Sequence, residues 1–127
     1  RCSAKRVNEF ICWIKEQEFY KDTVIVITGD HLSMANMFIE RNVDKSYQRR
    51  VYNCIINSPV SDGHSKNRTF TTLDMFPTVL RSLDCEIEGN RLGLGTDLYS
   101  GEKTLAETYG IKKLKKELAK SSDFYYD

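Results

Sequence analysis

The residues best equipped for chemistry are Asp30 and His31, which follow Gly29 at the end of the run Thr23-Val24-Ile25-Val26-Ile27-Thr28. A carboxylate oxygen beside a neutral imidazole nitrogen is a natural pair of ligands for Zn²⁺ or Mn²⁺. An apolar run without polar alternation suits a strand buried on both faces, as in a parallel sheet covered by helices. In open α/β sheets, ligands collect at the carboxyl ends of the strands, which is where Asp30 and His31 would lie. Two adjacent ligands cannot close a tetrahedron, so a metal held here needs partners from elsewhere.

The elements around this corner follow from the spacing of apolar residues. Val7, Phe10, Ile11 and Ile14 recur at i, i+3, i+4 and i+7, which predicts an amphipathic helix over residues 3 to about 20, with Ser3 as its N-cap. The apolar strand follows at 23–28, and a second strand is expected at about 50–57 from Val51, Cys54, Ile55 and Ile56. Between them, Met34, Met37, Phe38 and Ile39 fit one or two helical turns. They either pack in the core or line a substrate cleft, and core packing is the expectation. Pro59, Asp62, Gly63 and Ser65 mark a loop from 58 to 68. His64, within that loop, is open to a phosphate- or metal-binding role or to plain solvation.

Leu73, Phe76, Leu80 and Leu83 place one apolar face on a helix at 72–83, started by Asp74 or a neighbouring threonine, with Pro77 tolerated near its beginning. Residues 84–103 read as an irregular crossing. Gly93-Leu94-Gly95 is no dinucleotide fingerprint, because position 98 is Leu98 and no buried strand leads into it. Thr104 and Glu107 have capping-box spacing for a short helix at 104–109. Ile111, Leu114 and Leu118 define a lysine-rich surface helix, and from Ser121 a tail is expected.

Composition narrows the class. The chain has 127 residues, 40% hydrophobic and 29% charged, with a net charge of +1, which gives nucleic-acid binding no support. No apolar run approaches the roughly 20 residues that cross a bilayer. Cys2, Cys12, Cys54 and Cys85 lack CxxC spacing, so zinc-ribbon and thioredoxin readings fail. Most are expected to be buried free thiols, with one or two bridges open in an oxidising compartment. The chain opens on Arg1-Cys2-Ser3 without an initiating methionine, and is expected to be a processed or excised piece of a longer protein. GxSxG, HExxH and P-loop motifs are all missing. The residues by themselves therefore lead to part of an α/β hydrolase-like or transferase-like domain carrying half of a metal site.

A family resemblance extends this. Phe19-Tyr20-Lys21-Asp22-Thr23 into Val24-Ile25-Val26-Ile27-Thr28-Gly29-Asp30-His31 resembles the late metal-binding strand of the alkaline phosphatase/sulfatase superfamily. Asp30-His31-Leu32-Ser33-Met34, followed by Asn36, is most similar to its bacterial phosphoglycerol transferase branch, which is related to lipoteichoic acid synthases. Leu32 stands where sulfatases usually have glycine, favouring the transferases. Arg68-Thr69-Phe70-Thr71-Thr72-Leu73-Asp74-Met75-Phe76-Pro77-Thr78-Val79-Leu80 resembles the superfamily's "D-x-x-P-T-x-L" helix. Arg91-Leu92-Gly93-Leu94-Gly95-Thr96-Asp97-Leu98 resembles the loop after it, and Thr104-Leu105 its ending.

The resemblance covers about residues 1–110 and implies the C-terminal part of an α/β, alkaline-phosphatase-like three-layer sandwich, its sheet mostly parallel and flanked by helices. All of residues 1–127 would form one such fragment, with 111–127 a peripheral helix and tail. It implies metal ligation by Asp30 and His31, with manganese the first choice and zinc or magnesium as alternatives. No catalytic nucleophile is assigned within these residues: the threonine or serine that attacks a phosphatidylglycerol-type lipid belongs to the family's earlier half. A glucan or polysaccharide hydroxyl then accepts the phosphoglycerol group. The expected setting is the extracytoplasmic face of a bacterial cell membrane, reached through a segment absent from this chain. The isolated chain is expected to be inactive. Rival readings are a sulfatase, phosphodiesterase or phosphoethanolamine transferase of the same superfamily, or a non-catalytic α/β module that binds a partner.

Overall fold

In the computed structural model, which describes residues 2–60 and 63–121 (of Cys2 the backbone alone), the apolar run forms β1 (Ile25–Thr28). Its partner is β2 (Asn53–Ile56), and the pair is antiparallel, with Ile25 opposite Ile56 and Thr28 opposite Asn53. The Gly29 N–H donates to Tyr52 O at 2.9 Å and carries the ladder one step further. A mostly parallel sheet is thus corrected: among the described residues both sheets are two-stranded and antiparallel. The strand is also half-buried rather than covered on both faces. Apolar continuity records an affinity for burial but does not encode the direction of the neighbouring strand.

The chain divides into two units, Arg1–Asn57 and Ser58–Asp127. In the first, α1 (Cys2–Lys15) is shorter than expected, and a separate 3₁₀ turn follows at Glu18–Asp22. Gln17, extended at φ −86° and ψ 147°, separates the two. Ser3 lies inside the first turn rather than capping it. Asn57, in the left-handed region, closes the entry to β1 by donating from Nδ2 to Tyr20 O at 2.7 Å and Thr23 O at 2.8 Å. A short helix, α2 (Asn36–Asn42), fills the connection between the strands. Core packing is overturned for Met34, just before α2, and for Met37 within it, which are 77% and 75% exposed. Only Ile39 of that apolar set is half-buried.

The second unit is built around α3 (Met75–Ser82), entered through a 3₁₀ turn at Thr72–Asp74. The expected apolar face is not the buried one. Phe76 and Leu83 are exposed, whereas Asp74, Pro77, Thr78 and Ser82 are buried. Hydrogen bonds explain the rotation. Asp74 Oδ1 accepts from Thr96 N at 2.9 Å, and Thr78 Oγ1 accepts from Leu98 N at 3.1 Å while donating to Asp74 O at 2.6 Å. These bonds dock the hairpin of β3 (Arg91–Leu92) and β4 (Gly95–Thr96) on the polar face of α3. Gly95 makes the approach possible, since a Cβ there would stand 2.1 Å from Leu73 O.

The capping box at the next helix is present as expected. Glu107 N donates to Thr104 Oγ1 at 3.0 Å and Thr104 N to Glu107 Oε2 at 2.9 Å, starting α4 (Leu105–Tyr109). α5 (Ile111–Leu118) buries Leu114 and leaves its lysines exposed, as a surface helix should. Leu98, Ala106 and Leu114 are the buried apolar residues among those described. Among the described cysteines, Cys12, Cys54 and Cys85 are free; Cys12 and Cys85 are exposed and Cys54 half-buried, which corrects the expected buried thiols. Asp62 and the tail at 122–127 lie outside the described residues.

Candidate metal centre

The loop after β1 is placed by contact with the second strand. A Cβ at Gly29 would lie 2.7 Å from Val51 Cγ1, and valine is stiff at χ1, so glycine is what lets the backbone pass this close to Val51 and Tyr52. That approach delivers Asp30 and His31 to the end of the ladder. Both are exposed, with side chains 85% and 55% accessible.

Three contacts orient the pair. Asp30 Oδ1 accepts from His31 N at 2.8 Å, which fixes the carboxylate. His31 Nδ1 lies 2.8 Å from Leu32 O, a carbonyl that can only accept, so Nδ1 carries the proton. His31 Nε2 then faces Asp30 Oδ2 at 3.3 Å. With Nδ1 held by the carbonyl, Nε2 and Asp30 Oδ2 face each other across a gap that a proton or a cation can bridge. Two ligands at about 2.0–2.1 Å from a tetrahedral ion are separated by about 3.3–3.4 Å. The donors therefore fit a divalent cation in type and spacing. Among the described residues no group of three His, Cys, Asp or Glu side chains could hold a metal.

His64 lies in the second unit, its ring packed on Gly101, where a Cβ would come within 3.2 Å of His64 Cγ. Its carbonyl accepts from Arg68 Nη1 at 3.3 Å. Arg68 and Glu107, unassigned from sequence, form a clamp. Arg68 Nε donates to Glu107 Oε1 at 2.8 Å and Nη2 to Oε2 at 2.8 Å, while other donors reach Leu98 O and Glu102 O. The Arg68 guanidinium, aided by backbone N–H groups of Thr104 and Thr69, pulls the Glu107 carboxyl down to about 2. Burial pushes the Asp97 carboxyl upward. These groups hold the fold together rather than face a ligand. The half-signal for the clamp was the Thr104–Glu107 box, which announces the carboxylate but not the arginine that binds it.

The chain is 32% identical over 109 residues to phosphoglycerol transferase I of Salmonella choleraesuis (strain SC-B67), a match covering 85% of this chain and 13% of that protein. It is 32% identical over 123 residues to phosphoglycerol transferase I of Citrobacter koseri, covering 96% of this chain and 15% of that protein. No family model matches, and neither does any solved structure. The chain thus spans 13% to 15% of the length of these curated relatives and is a distant homologue of one segment of phosphoglycerol transferase I. The resemblance read in the sequence is borne out.

Proposed function

We propose that this homologue of a phosphoglycerol transferase I segment is part of the catalytic domain of a metal-dependent phosphoglycerol transferase, with Asp30 and His31 as metal ligands. One observation carries the reading: a match over 123 of 127 residues necessarily contains Asp30-His31, the pair whose donors fit a cation. Manganese suits one oxygen and one nitrogen donor, with zinc or magnesium as alternatives. When bound, such a cation lowers the pKa of a hydroxyl nucleophile and neutralises charge on phosphoryl oxygens.

The chain's own residues prepare the corner. Leu32 O holds the imidazole tautomer, His31 N–H holds the carboxylate, and Gly29 sets both against the strand pair. The nucleophile and remaining ligands come from parts of the protein outside these 127 residues. The proposed donor is a phosphatidylglycerol-type lipid and the acceptor a glucan or polysaccharide, at the extracytoplasmic face of a bacterial membrane. Among the described residues no helix is long and apolar enough to cross a membrane, so anchoring would fall to another segment.

The test compares manganese-dependent phosphoglycerol transfer by the whole catalytic domain with that of His31→Ala. We expect a loss on the order of 100-fold or more that raised manganese does not restore. Unchanged turnover would reduce Asp30-His31 to an ordinary turn.

A further inference from the structure

Asp30 and His31 stand between two cross-links to the residues that lead into β2. On one side, the Gly29 N–H donates to Tyr52 O at 2.9 Å. On the other, Arg49 Nη1 donates to Ser33 O at 3.0 Å. Beyond Gly29 the ladder makes no further backbone bond among the described residues, and a long side chain spans what the backbone does not. Among the described residues, 30–34 make no other hydrogen bond to a residue more than two positions away.

Arg49 is suited to this task. It is half-buried although it carries a charge, and it forms no ion pair among the described residues. A guanidinium that donates to a carbonyl makes a charge-assisted bond, and its planar fork loses little freedom in doing so. The bond bears on the imidazole through the backbone. His31 Nδ1 is held by Leu32 O at 2.8 Å, and the next carbonyl along the chain is Ser33 O. The two carbonyls belong to successive planar peptides joined at the Ser33 Cα, so only two backbone dihedrals separate them. Holding one restricts the other.

We infer that Arg49 is a positioning residue for His31: it fixes Ser33 O, the Leu32 carbonyl is restrained with it, and the imidazole keeps Nε2 toward Asp30 Oδ2. The inference rests on the function proposed above only for the purpose of that orientation. The orientation itself belongs to these residues without metal, so the two can fail separately.

The chain has two histidines, so isotope-labelled histidine gives two imidazole nitrogen spectra, with His64 in the other unit as internal reference. At about pH 8.5, where imidazole is neutral, the metal-free chain should show His31 protonated on Nδ1. Arg49→Ala should free the ring to exchange between tautomers and lose about half of the Nδ1–H form. Arg49→Lys should recover part of it. Arg50→Ala, which removes the same charge one residue along, should change nothing. In the whole catalytic domain, Arg49→Ala should weaken manganese binding about tenfold, read from the free ion by electron paramagnetic resonance. An unchanged His31 spectrum in Arg49→Ala overturns the inference. A His64 spectrum that moves as much as that of His31 overturns it too, because Arg49 would then support the fold at large. So does manganese affinity that Arg49→Ala leaves intact while His31→Ala lowers it. Where His31→Ala itself leaves manganese affinity intact, the metal reading fails instead, and the His31 spectrum alone decides for Arg49.

Discussion

Asp74 is 2% exposed and holds Thr71 and Thr96 through hydrogen bonds, whereas the Asp30 side chain is 85% exposed with His31 beside it. The contrast extends to the units that contain them. Among the described residues of 2–57 none is fully buried, while residues 74–114 bury Pro77, Thr78, Ser82, Gly95, Thr96, Asp97, Leu98, Thr104, Ala106 and Leu114 as well. One unit is organised by buried polar groups whose partners lie within it, with Thr96 Oγ1 the one described buried atom left unpartnered. The other leaves Asp30 and His31 in solvent. Buried, satisfied polar groups specify a single arrangement, because each lost partner leaves a desolvated group behind. Exposed ones contribute little to stability and remain available for binding.

The harshest way to break this contrast is Gly95→Ala. A Cβ placed 2.1 Å from Leu73 O cannot be accommodated without separating the hairpin from α3. The expected cost is about 3 kcal/mol or more, read as a lower urea midpoint for the amides of residues 71–107. An unchanged midpoint would mean that the hairpin is not docked on this face.

The Arg68–Glu107 clamp is expected to come next. Its carboxyl is held from an ordinary 4.5 down to about 2, so the native state binds the proton less tightly than the unfolded chain. The resulting stabilisation is on the order of 3 kcal/mol. It is complete above about pH 4.5 and fades as the pH falls toward about 2. Urea melts across that window should lose stability on acidification in the parent chain and show a shallower slope in Glu107→Gln. Parallel slopes would remove the clamp as a source of stability.

The smallest effect belongs to the first unit. Phe10 is 60% exposed and stacks on Trp13 with ring centroids 5.8 Å apart. Phe10→Ser should shift stability by no more than about 0.5 kcal/mol, since little area leaves water there in the first place. A loss of 2 kcal/mol or more would show that the α1 face is covered in solution, and would erase the difference between the units.

Local features were the legible ones. The Thr104–Glu107 box needs only residues three apart on a nascent helix, and both of its hydrogen bonds form as the spacing predicts. The strand at 25–28, the surface character of α5 and the adjacency of Asp30 and His31 were equally open to reading.

Sequence alone determined the strand at 25–28, the Thr104–Glu107 box and the presence of a helix near the start of the chain, because those depend on backbone propensity and on contacts within a few residues, whereas the β3–β4 hairpin went unread. Tertiary structure alone decided that β2 runs antiparallel to β1, that α3 turns its polar face inward, and that Arg68 finds Glu107. The physical reason is common to all three. Each is settled by a partner 22 to 39 residues away, and the periodicity of hydrophobic residues reports a need for burial without naming the group that supplies it.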